Sequence, residues 1–594
     1  MNETVPDPIP KSYLRKAAIP FLFAVAAVVL TWPLAWSPGL SLSVRDDYYL
    51  SLWNIWWFKV SLFGTGFMDS GSALYWTDYL HYPLGVSLTR NVISPVNAFT
   101  GAIASGVLDL HTAAEWLHLI HFALGGGFCF LFVRSVTGSS RGAVLAGFFY
   151  AYSPFSFYYL PQMNVSTMEF LPLAAFFLVR TYRGGGVGNY LGIAASAALI
   201  AAGSLYYLIY IALLGLLLMI CGKGVEPDVG FAVGGRRLLK AAFMALCAVL
   251  LVVWPLLSES LSSGMDNRNF DLVEHQVNRS NDLLGFLWVG GPERVILAWP
   301  VLLGYSSLLL ILAGLRLKWK QLFWIAAALF FLVLSLGPVL HVGGSSTGVP
   351  LPYAGFSEIP ILWMLRKPDR FVVMVLLCAG VSLGWSFKNL EVRWASTRAR
   401  NLLVWFCGLI LVAERMAIPL ATFDDPMPAC LQELARDKGI HSLVDIPHMG
   451  GHASDARSNY LQTVHEKKIP QGYVVELALT GEHFRACAPW SQAQDRLVEG
   501  DARPLVALAE QRKIDAILIR KTLWVPRKSV LPQNEIVWAP FVFVHDPLVL
   551  IRQQGAWFVS RAPETLLSTE REALTALVGP PEFEDDEIMV FDRR

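Results

Sequence analysis

Two adjacent carboxylates, Asp46 and Asp47, follow the first long apolar segment at about the point where that segment would leave a bilayer. Arg45 precedes them, and an aromatic run that includes Trp53 and Trp57 follows. A carboxylate at a membrane boundary can take a proton from a polar group presented there. Adjacent carboxylates raise each other's pKa unless Arg45 or a bound metal neutralises one of them. The pair is therefore a candidate for catalysis, with capping of the following helix as the structural alternative.

The composition indicates a membrane protein with many spans. The chain has 594 residues, of which 54% are hydrophobic and 16% charged, and its mean hydropathy is +0.47. The net charge of +1 and the lack of a long basic tract exclude a nucleic-acid-binding protein. Lys11, Arg15 and Lys16 precede the first apolar run, which has no clear cleavage site after it, so we expect a retained first span.

Apolar runs of about 17–25 residues predict about eleven membrane-spanning helices. Basic residues concentrate in alternate short connections, which predicts a cytoplasmic N-terminus in the cell membrane. An odd number of spans then places the C-terminal part outside the cytoplasm. The predicted spans lie near 17–38, 115–133, 142–160, 166–181, 187–203, 205–221, 239–257, 297–315, 321–340, 371–386 and 402–419.

The chain divides into a membrane part, 1–419, and a polar part, 420–594, which is long enough to bury its own core. Three long loops, at about 39–114, 258–296 and 341–370, fall on the same outer side as the C-terminal part. This part is predicted to be a small α/β or α+β domain. Its predicted strands lie near 441–446, 514–519, 541–544 and 588–591, and its predicted helices near 430–438 and 503–512.

The sequence also makes predictions for a weakly apolar stretch of the first outer loop and for the cysteines of the C-terminal domain. The weakly apolar stretch Val92–Leu110 is interrupted by Pro95 and several glycines, so we expect an interfacial or re-entrant helix instead of a span. Cys430 and Cys487 are the two cysteines of the C-terminal domain, and they could form a disulfide in an oxidising compartment. A structural zinc site has no support, because the sequence contains no Cys-x-x-Cys motif.

Four local patterns occur in order along the membrane part, and together they carry a family resemblance. They are Asp47 followed by Trp53 and Trp57; Leu80–Leu88, which reads LHYPLGVSL; Ser153–Gln162 followed by Leu171–Leu173; and Leu365–Phe371, which reads LRKPDRF. In order and spacing the chain resembles bacterial integral-membrane glycosyltransferases of the GT-C superfamily. This group includes the protein mannosyltransferases and lipid A aminoarabinose transferase, and the resemblance is strongest to an uncharacterised branch. The outer segment from Tyr460 to Tyr473 is also similar.

The resemblance implies an enzyme that transfers a sugar from a polyprenyl-phosphate donor to an acceptor hydroxyl on the outer face, with inversion at the anomeric carbon. The acceptor would be a glycan, a lipid or a protein. A carboxylate would act as the base. The tryptophan spacing favours Asp47, whereas the acidic pair of the mannosyltransferase-like branch points to Asp46. The lipid phosphate would be bound by Arg366, Lys367 and Arg370.

Other polar residues of the outer loops are candidates for substrate binding. Each has a structural alternative, either as an interfacial residue or as part of a solvated loop. The oligosaccharyltransferase-like branch requires a divalent ion, so Mg²⁺ or Mn²⁺ is a candidate cofactor, but the sequence has no clear Asp-x-Asp motif and leaves the metal open. The candidate substrate-binding residues are Arg45, His81, Tyr82, Arg90, Gln162 and Asp282.

Two alternative functions remain open. Many spans and few charges would also suit a transporter or flippase of a lipid-linked sugar, although charged residues are scarce in the predicted spans and no inverted repeat is evident. A catalytically inactive envelope-assembly protein would keep the fold and could lose both Asp46 and Asp47 without consequence.

Overall fold

The fold is described by a computed structural model that covers most of the chain. The described residues are 11–36, 46–64, 74–89, 91, 93–263, 276–287, 301–356, 365–393, 396–415, 427–446, 452–474, 479, 481–526, 557–561, 564–586 and 588–594.

The described chain is mainly helical, with short strands in two of the loops that are predicted to be outer and a sheet near the C-terminus. The helices are α1 Lys11–Leu30, α2 Asp46–Phe63, α3 Pro95–Ala104, α4 Leu110–Thr137, α5 Ser140–Ala151, α6 Pro154–Tyr158, α7 Met163–Ser166, α8 Phe170–Gly184, α9 Val187–Gly203, α10 Leu205–Cys221, α11 Phe231–Ser263, α12 Tyr305–Ala313, α13 Trp319–Ser335, α14 Val372–Glu391, α15 Thr397–Arg415, α16 Leu431–Arg436, α17 His452–His465, α18 Gly481–Val498, α19 Arg503–Gln511 and α20 Glu564–Val578. The strands are β1 Trp76–Thr77, β2 Val86–Ser87, β3 Val339–Val342, β4 Ser345–Pro350, β5 Leu443–Ile446, β6 Ala516–Arg520, β7 Thr522–Pro526, β8 Trp557–Arg561, β9 Phe583–Glu584 and β10 Ile588–Asp592.

The apolar helices confirm a membrane protein with several spans. Among the described residues, four helical stretches are long and apolar enough to cross a membrane: Leu110–Thr137, Leu205–Gly224, Phe231–Ser258 and Pro368–Glu391. The stretches Ala18–Leu30, Val187–Gly203 and Trp319–Ser335 are apolar but shorter. Helix α11 presents large apolar side chains outwards, as expected for a surface that contacts lipid. The number of eleven spans stays a prediction.

The segment predicted as a span near 142–160 is not one continuous helix. Helix α5 ends at Ala151, and Ser153 caps α6 by accepting a hydrogen bond from the backbone N–H of Ser156. Pro154 occupies the first position of α6, where the missing N–H costs nothing, but it cannot continue α5. The stretch predicted to be re-entrant contains α3, whose ten residues are too short to cross a bilayer.

The C-terminal part is built on a four-stranded sheet in the order β5-β6-β10-β9. Strands β5 and β6 are parallel, and the other pairs are antiparallel. Alternate side chains of the strands point to opposite faces, so the sheet separates two apolar cores. The strands predicted near 441–446, 514–519 and 588–591 and both predicted helices are present, whereas the strand predicted at 541–544 lies outside the described residues.

One of these two cores is shared with the membrane part. It contains Trp53 and Trp57 of α2, Leu80 of the first outer loop, and Leu443 and Leu461 of the C-terminal domain. The loop also joins the domain through the backbone, because Tyr82 N–H donates to the carbonyl of Ile469 at 3.0 Å. The first outer loop and the C-terminal domain therefore fold against each other.

Candidate functional site

Asp47 lies in the first turn of α2, and its side chain is partly exposed. Ser51 lies one turn further along α2, and its Oγ donates a hydrogen bond to the backbone carbonyl of Asp47 at 2.7 Å. The side chain of Asp46 and the residues Arg45 and Arg90 lie outside the described part of the structure. A carboxylate is a favourable residue at a helix N-terminus because of the helix dipole, and Asp47 is accessible there.

Arg370 is buried in the turn Pro368–Phe371 that leads into α14, with only 3% of its surface exposed. Its Nη2 donates to Gln162 Oε1 at 3.1 Å, so the structure joins two of the predicted binding residues. The guanidinium lies 4.8 Å from the ring centre of Tyr206 and 5.8 Å from that of Tyr159. Its Nε and Nη1 are buried and have no hydrogen-bond partner in the described structure. Burying the unpaired N–H groups of a cation is costly, and an anion beside Arg370 would offset that cost.

Asp369, beside Arg370, anchors the same turn to two other parts of the molecule. Its Oδ2 accepts a hydrogen bond from the Tyr159 hydroxyl at 2.7 Å, next to α6. Its backbone carbonyl accepts from Asn281 Nδ2 at 3.2 Å, and its N–H donates to the carbonyl of Arg279 at 3.1 Å. The predicted second outer loop therefore supports the turn that carries the cations.

Lys367 connects this turn electrostatically with Asp47. It lies just before the span Pro368–Glu391 and is partly buried. Burial lowers the pKa of Lys367 to about 7; the guanidiniums of Arg370 and Arg279 also lower it, and the carboxylate of Asp47 opposes them. The predicted base and the predicted phosphate-binding segment are thus close enough to interact. Arg366, the preceding residue, is partly exposed.

His81 and Tyr82 belong to a different place, the junction of the first outer loop with the C-terminal domain. His81 is buried, and its ring packs edge-on against His483 with 5.3 Å between the ring centres. The Tyr82 ring lies 5.4 Å from the Nζ of Lys468. These contacts are with the C-terminal domain, so a substrate-binding role for His81 and Tyr82 stays a prediction.

Asp282 anchors a hairpin. Its Oδ1 accepts from the N–H of Leu284 at 2.8 Å, and its Oδ2 accepts from the N–H of Gly344, just before β4. Burial raises the pKa of Asp282, but these backbone hydrogen bonds outweigh it and hold the pKa below its usual value. Asn281, which contacts Asp369, is the residue of this loop that reaches the site.

The predicted disulfide is wrong, because Cys430 and Cys487 are not joined by a disulfide in the described structure. Cys430 is buried beside Asp585, and burial raises the pKa of its thiol to about 12. Cys487 lies on α18, with its Sγ 3.8 Å from Nδ1 of His81. Cys430 belongs to the core shared with α2, whereas α18 packs into the core on the other face of the sheet.

In the described part of the chain, no group of three or more His, Cys, Asp or Glu side chains could hold a metal ion. The carboxylates of Asp47 and Asp369 lie near Lys367, whose positive charge offsets their negative charge without a metal. The described residues therefore do not fit a divalent-metal site.

Several residues of the site escaped sequence reasoning. Asp369 lies inside the LRKPDRF segment but was overlooked beside its basic neighbours. The aromatic rings that enclose Arg370 come from distant helices and carry no local signal. The residues added by the structure are Tyr159, Tyr206, Arg279, Asn281 and Asp369.

Similarity to known proteins is found among solved structures. No family model and no curated protein matches the chain. Among solved structures, the arabinofuranosyltransferase AftD from Mycobacteria is similar at a TM-score of 0.53 and 13% identity, over 87% of this chain and 37% of AftD. The chain thus spans little more than a third of AftD. The oligosaccharyltransferase AglB from Archaeoglobus fulgidus matches at a TM-score of 0.49 and 11% identity, over 86% of this chain and 70% of AglB. ArnT from Cupriavidus metallidurans matches at 0.40 and 11% identity, over 99% of both chains. The likeness to AftD shows that the chain shares the fold of the matching part of this arabinofuranosyltransferase.

Proposed function

We propose that the chain is an inverting glycosyltransferase that moves a sugar from a polyprenyl-phosphate donor to an acceptor hydroxyl on the outer face of the membrane. The observation that carries this proposal is the electrostatic interaction of Asp47 with a group of cations around the buried Arg370. This group consists of Arg370, the partly buried Lys367 and the exposed Arg279, and the Nε and Nη1 atoms of Arg370 have no hydrogen-bond partner in the described structure. A carboxylate facing an anion site provides the two parts that such a transfer needs.

The reaction is a single displacement. The acceptor oxygen attacks the anomeric carbon from the face opposite the phosphate, and the bond between that carbon and the phosphate oxygen breaks. The electron pair of the broken bond stays on the lipid phosphate, and the acceptor proton passes to the Asp47 carboxylate. Attack from the opposite face inverts the anomeric centre. Asp46 remains the alternative base, since its carboxylate lies outside the described side chains.

The cations act on the leaving group. As the phosphate departs, its negative charge grows, and the buried Arg370 guanidinium is already oriented by Gln162 and by the rings of Tyr159 and Tyr206. Fixed donors in a site poor in water stabilise such charge without reorganising. Arginine also suits phosphate geometry, since two N–H groups can contact two oxygens at once. Lys367 adds a second, titratable cation.

The fold and the surroundings of the site favour the same proposal. AftD is an arabinofuranosyltransferase, so this membrane fold is compatible with glycosyl transfer. The turn Pro368–Phe371 opens directly into an apolar span, where a polyprenyl chain could enter beside its phosphate. The outer-face location rests on the basic inner connections of the sequence.

The test is release of polyprenyl phosphate from a panel of polyprenyl-phosphate sugars by the purified full chain. We expect Asp47→Asn to lower kcat by about 10²–10⁴-fold, the usual contribution of a general base. Asp46→Asn tests the alternative base in the same assay. Asp78→Asn is the matched control, because it removes a carboxylate from the same outer loop that pairs with Lys468 instead.

The other outcomes separate the alternatives. If Asp46→Asn loses activity and Asp47→Asn does not, the base is Asp46 instead of Asp47. No turnover with any donor, together with movement of lipid-linked sugar across vesicle membranes, would contradict the proposal and favour a transporter. Unchanged turnover in the double Asp46→Asn, Asp47→Asn variant would exclude both carboxylates from the chemistry.

A further inference from the structure

Helix α17 of the C-terminal domain packs directly against α2, the helix that begins with the two carboxylates. Trp53 of α2 is fully buried, and its Nε1 donates to Gln462 Oε1 of α17 at 2.7 Å. Gln462 Nε2 in turn donates to the carbonyl of Tyr79 at 2.7 Å. The ring of Trp57 stacks on that of Trp53 with 5.7 Å between the ring centres. The middle of α2 is therefore fixed between the first outer loop and the C-terminal domain.

The first turn of α2 is held by a second set of contacts, centred on Tyr460 of α17. The Tyr460 ring stacks on that of Tyr49 at 5.1 Å with the planes 18° apart. Its hydroxyl lies 2.5 Å from His111 Nε2, and the Tyr48 hydroxyl lies 3.4 Å from His111 Nδ1. All four side chains are buried, with Tyr460 only 4% exposed. Tyr48 and Tyr49 are the two residues that follow Asp47.

We infer that Tyr460 of the C-terminal domain is a positioning residue for Asp47. Helix N-termini fray, because their first N–H groups have no partner within the helix. In α2 the two side chains after Asp47 are held by Tyr460. Tyr49 stacks on the ring of Tyr460, and Tyr48 is connected to it through His111. The direction of the Asp47 carboxylate is set from the C-terminal domain through this network.

The inference rests on the proposed function for the role of Asp47, and it gives the C-terminal domain a part in the reaction. A base must lie within hydrogen-bond reach of the acceptor, and a displacement of about 1 Å can cost about 10²-fold in rate. Of the proposed phosphate-binding cations, Arg370 lies in the turn Pro368–Phe371 and Lys367 directly precedes it, and both are outside this network. Loosening Tyr460 is therefore expected to slow the chemical step and to leave donor binding intact.

Tyr460→Phe is the main variant, because it keeps the stacked ring and removes the hydroxyl beside His111. Tyr190→Phe, which removes a tyrosine hydroxyl from α9, is the matched control. The first measurement is hydrogen–deuterium exchange of the full chain over residues 46–52, which needs no substrate. We expect faster amide exchange in this segment for Tyr460→Phe and no change for Tyr190→Phe.

The second measurement is steady-state kinetics with the active donor. We expect kcat of Tyr460→Phe to fall about tenfold with donor KM within about twofold, the pattern of an interaction used in the transition state. Tyr48→Phe removes the other hydroxyl beside His111. If both hydroxyls act through His111, the loss in the double Tyr48→Phe, Tyr460→Phe variant is smaller than the product of the two single losses.

The outcomes distinguish this inference from the proposed function. Unchanged exchange over residues 46–52 in Tyr460→Phe overturns the positioning role, whatever the activity. If exchange is faster in Tyr460→Phe but the wild-type protein transfers no sugar, the structural coupling holds and the transferase is rejected. A fall in kcat matched by an equal rise in KM, or losses that multiply in the double variant, contradict positioning through His111.

Discussion

At the scale of single residues, the site depends on a lysine and an arginine that differ in how burial affects them. Arg370 remains charged at any physiological pH because of its high intrinsic pKa. Lys367 differs, since burial beside Arg370 and Arg279 lowers its pKa to about 7. An ordinary lysine titrates near 10.4. The charge that Lys367 would offer to the proposed donor phosphate therefore changes within the physiological range.

This lowered pKa predicts that donor capture weakens as pH rises through about 7. Below pH 7 Lys367 is cationic and attracts the phosphate; above it the amine is neutral and the attraction is lost. Because kcat/KM reports the free enzyme, we expect it to fall roughly tenfold between pH 7 and pH 8.5. Lys367→Arg should remove this fall, whereas Lys468→Arg, in the C-terminal domain, should keep it. The same pH profile in Lys367→Arg as in the wild type would contradict the assignment.

The residues of the site differ in how far the sequence reveals them. The acidic pair and the LRKPDRF segment were predictable, because carboxylates beside a span and clustered basic residues have a clear chemical meaning. Tyr206, Asn281 and Tyr460 were not, since each acts through a contact with a residue that is distant in the sequence. The sequence points to Asp282 as a binding residue, whereas its neighbour Asn281 contacts Asp369 of the site.

At the scale of elements, α4 is unusual for an apolar span because one of its faces carries ionisable side chains. Glu115, His118 and His121 are buried on this face, and His121 Nδ1 lies 2.7 Å from Glu169 Oε1, just before α8. Ionisable groups inside a span are costly unless paired. The paired His121 and Glu169 therefore hold α4 and α8 in one register.

We predict that breaking this pair destabilises the membrane part. His121→Leu leaves the buried Glu169 carboxylate without its partner, which costs roughly 3 kcal/mol in comparable buried pairs. The double His121→Leu, Glu169→Met variant should recover most of this loss, because it removes both polar groups. Thermal unfolding of the full chain in detergent measures the effect. Equal loss in the single and double variants would contradict a pairing role.

Helices were easier to predict from sequence than their interruptions. Apolar runs located α4, α10, α11 and α14 closely, because hydropathy averaged over a span reports burial in lipid or protein. The break between α5 and α6 was missed, since Tyr152, Ser153 and Pro154 lie within an equally apolar run. Only the cap geometry of Ser153 reveals it. The packing of α17 on α2 had no local signal, because it joins residues about 400 positions apart.

At the scale of the whole molecule, the C-terminal domain is integral to the architecture. Its helix α17 contributes to both the core around α2 and the core of the membrane part, through Leu461 and Tyr460 respectively. His465, the last residue of α17, fixes the C-terminal end of this helix. Its side chain is completely buried, and its Nδ1 accepts a hydrogen bond from the N–H of Lys467 at 2.9 Å. The stability of this domain therefore bears on the position of α2.

This buried histidine makes the domain sensitive to acid. Burial, assisted by the charge of Lys467, lowers the pKa of His465 to about 3, whereas in the unfolded chain histidine titrates near 6.5. Between pH 3 and pH 6.5 the unfolded chain binds a proton at His465 and the folded protein does not. The free energy of unfolding therefore decreases as the pH falls below about 6.5. At about 1.36 kcal/mol for each pH unit, the loss is roughly 2 kcal/mol at pH 5.

We predict that thermal unfolding of the full chain, followed by scanning fluorimetry, shows this loss as a lower Tm at pH 5 than at pH 7. His465→Asn keeps an acceptor near the position of Nδ1 and cannot be protonated, so it should reduce the pH dependence of Tm by several degrees. His441→Asn, at an exposed position in the same domain, should not. If His465→Asn and His441→Asn show the same pH dependence as the wild type, His465 does not set the acid limit. Since α17 carries Tyr460, the acid effect should also appear as lower amide protection factors over residues 46–52, after division by the intrinsic exchange rate at each pH, which would connect the stability of the C-terminal domain with the order of α2.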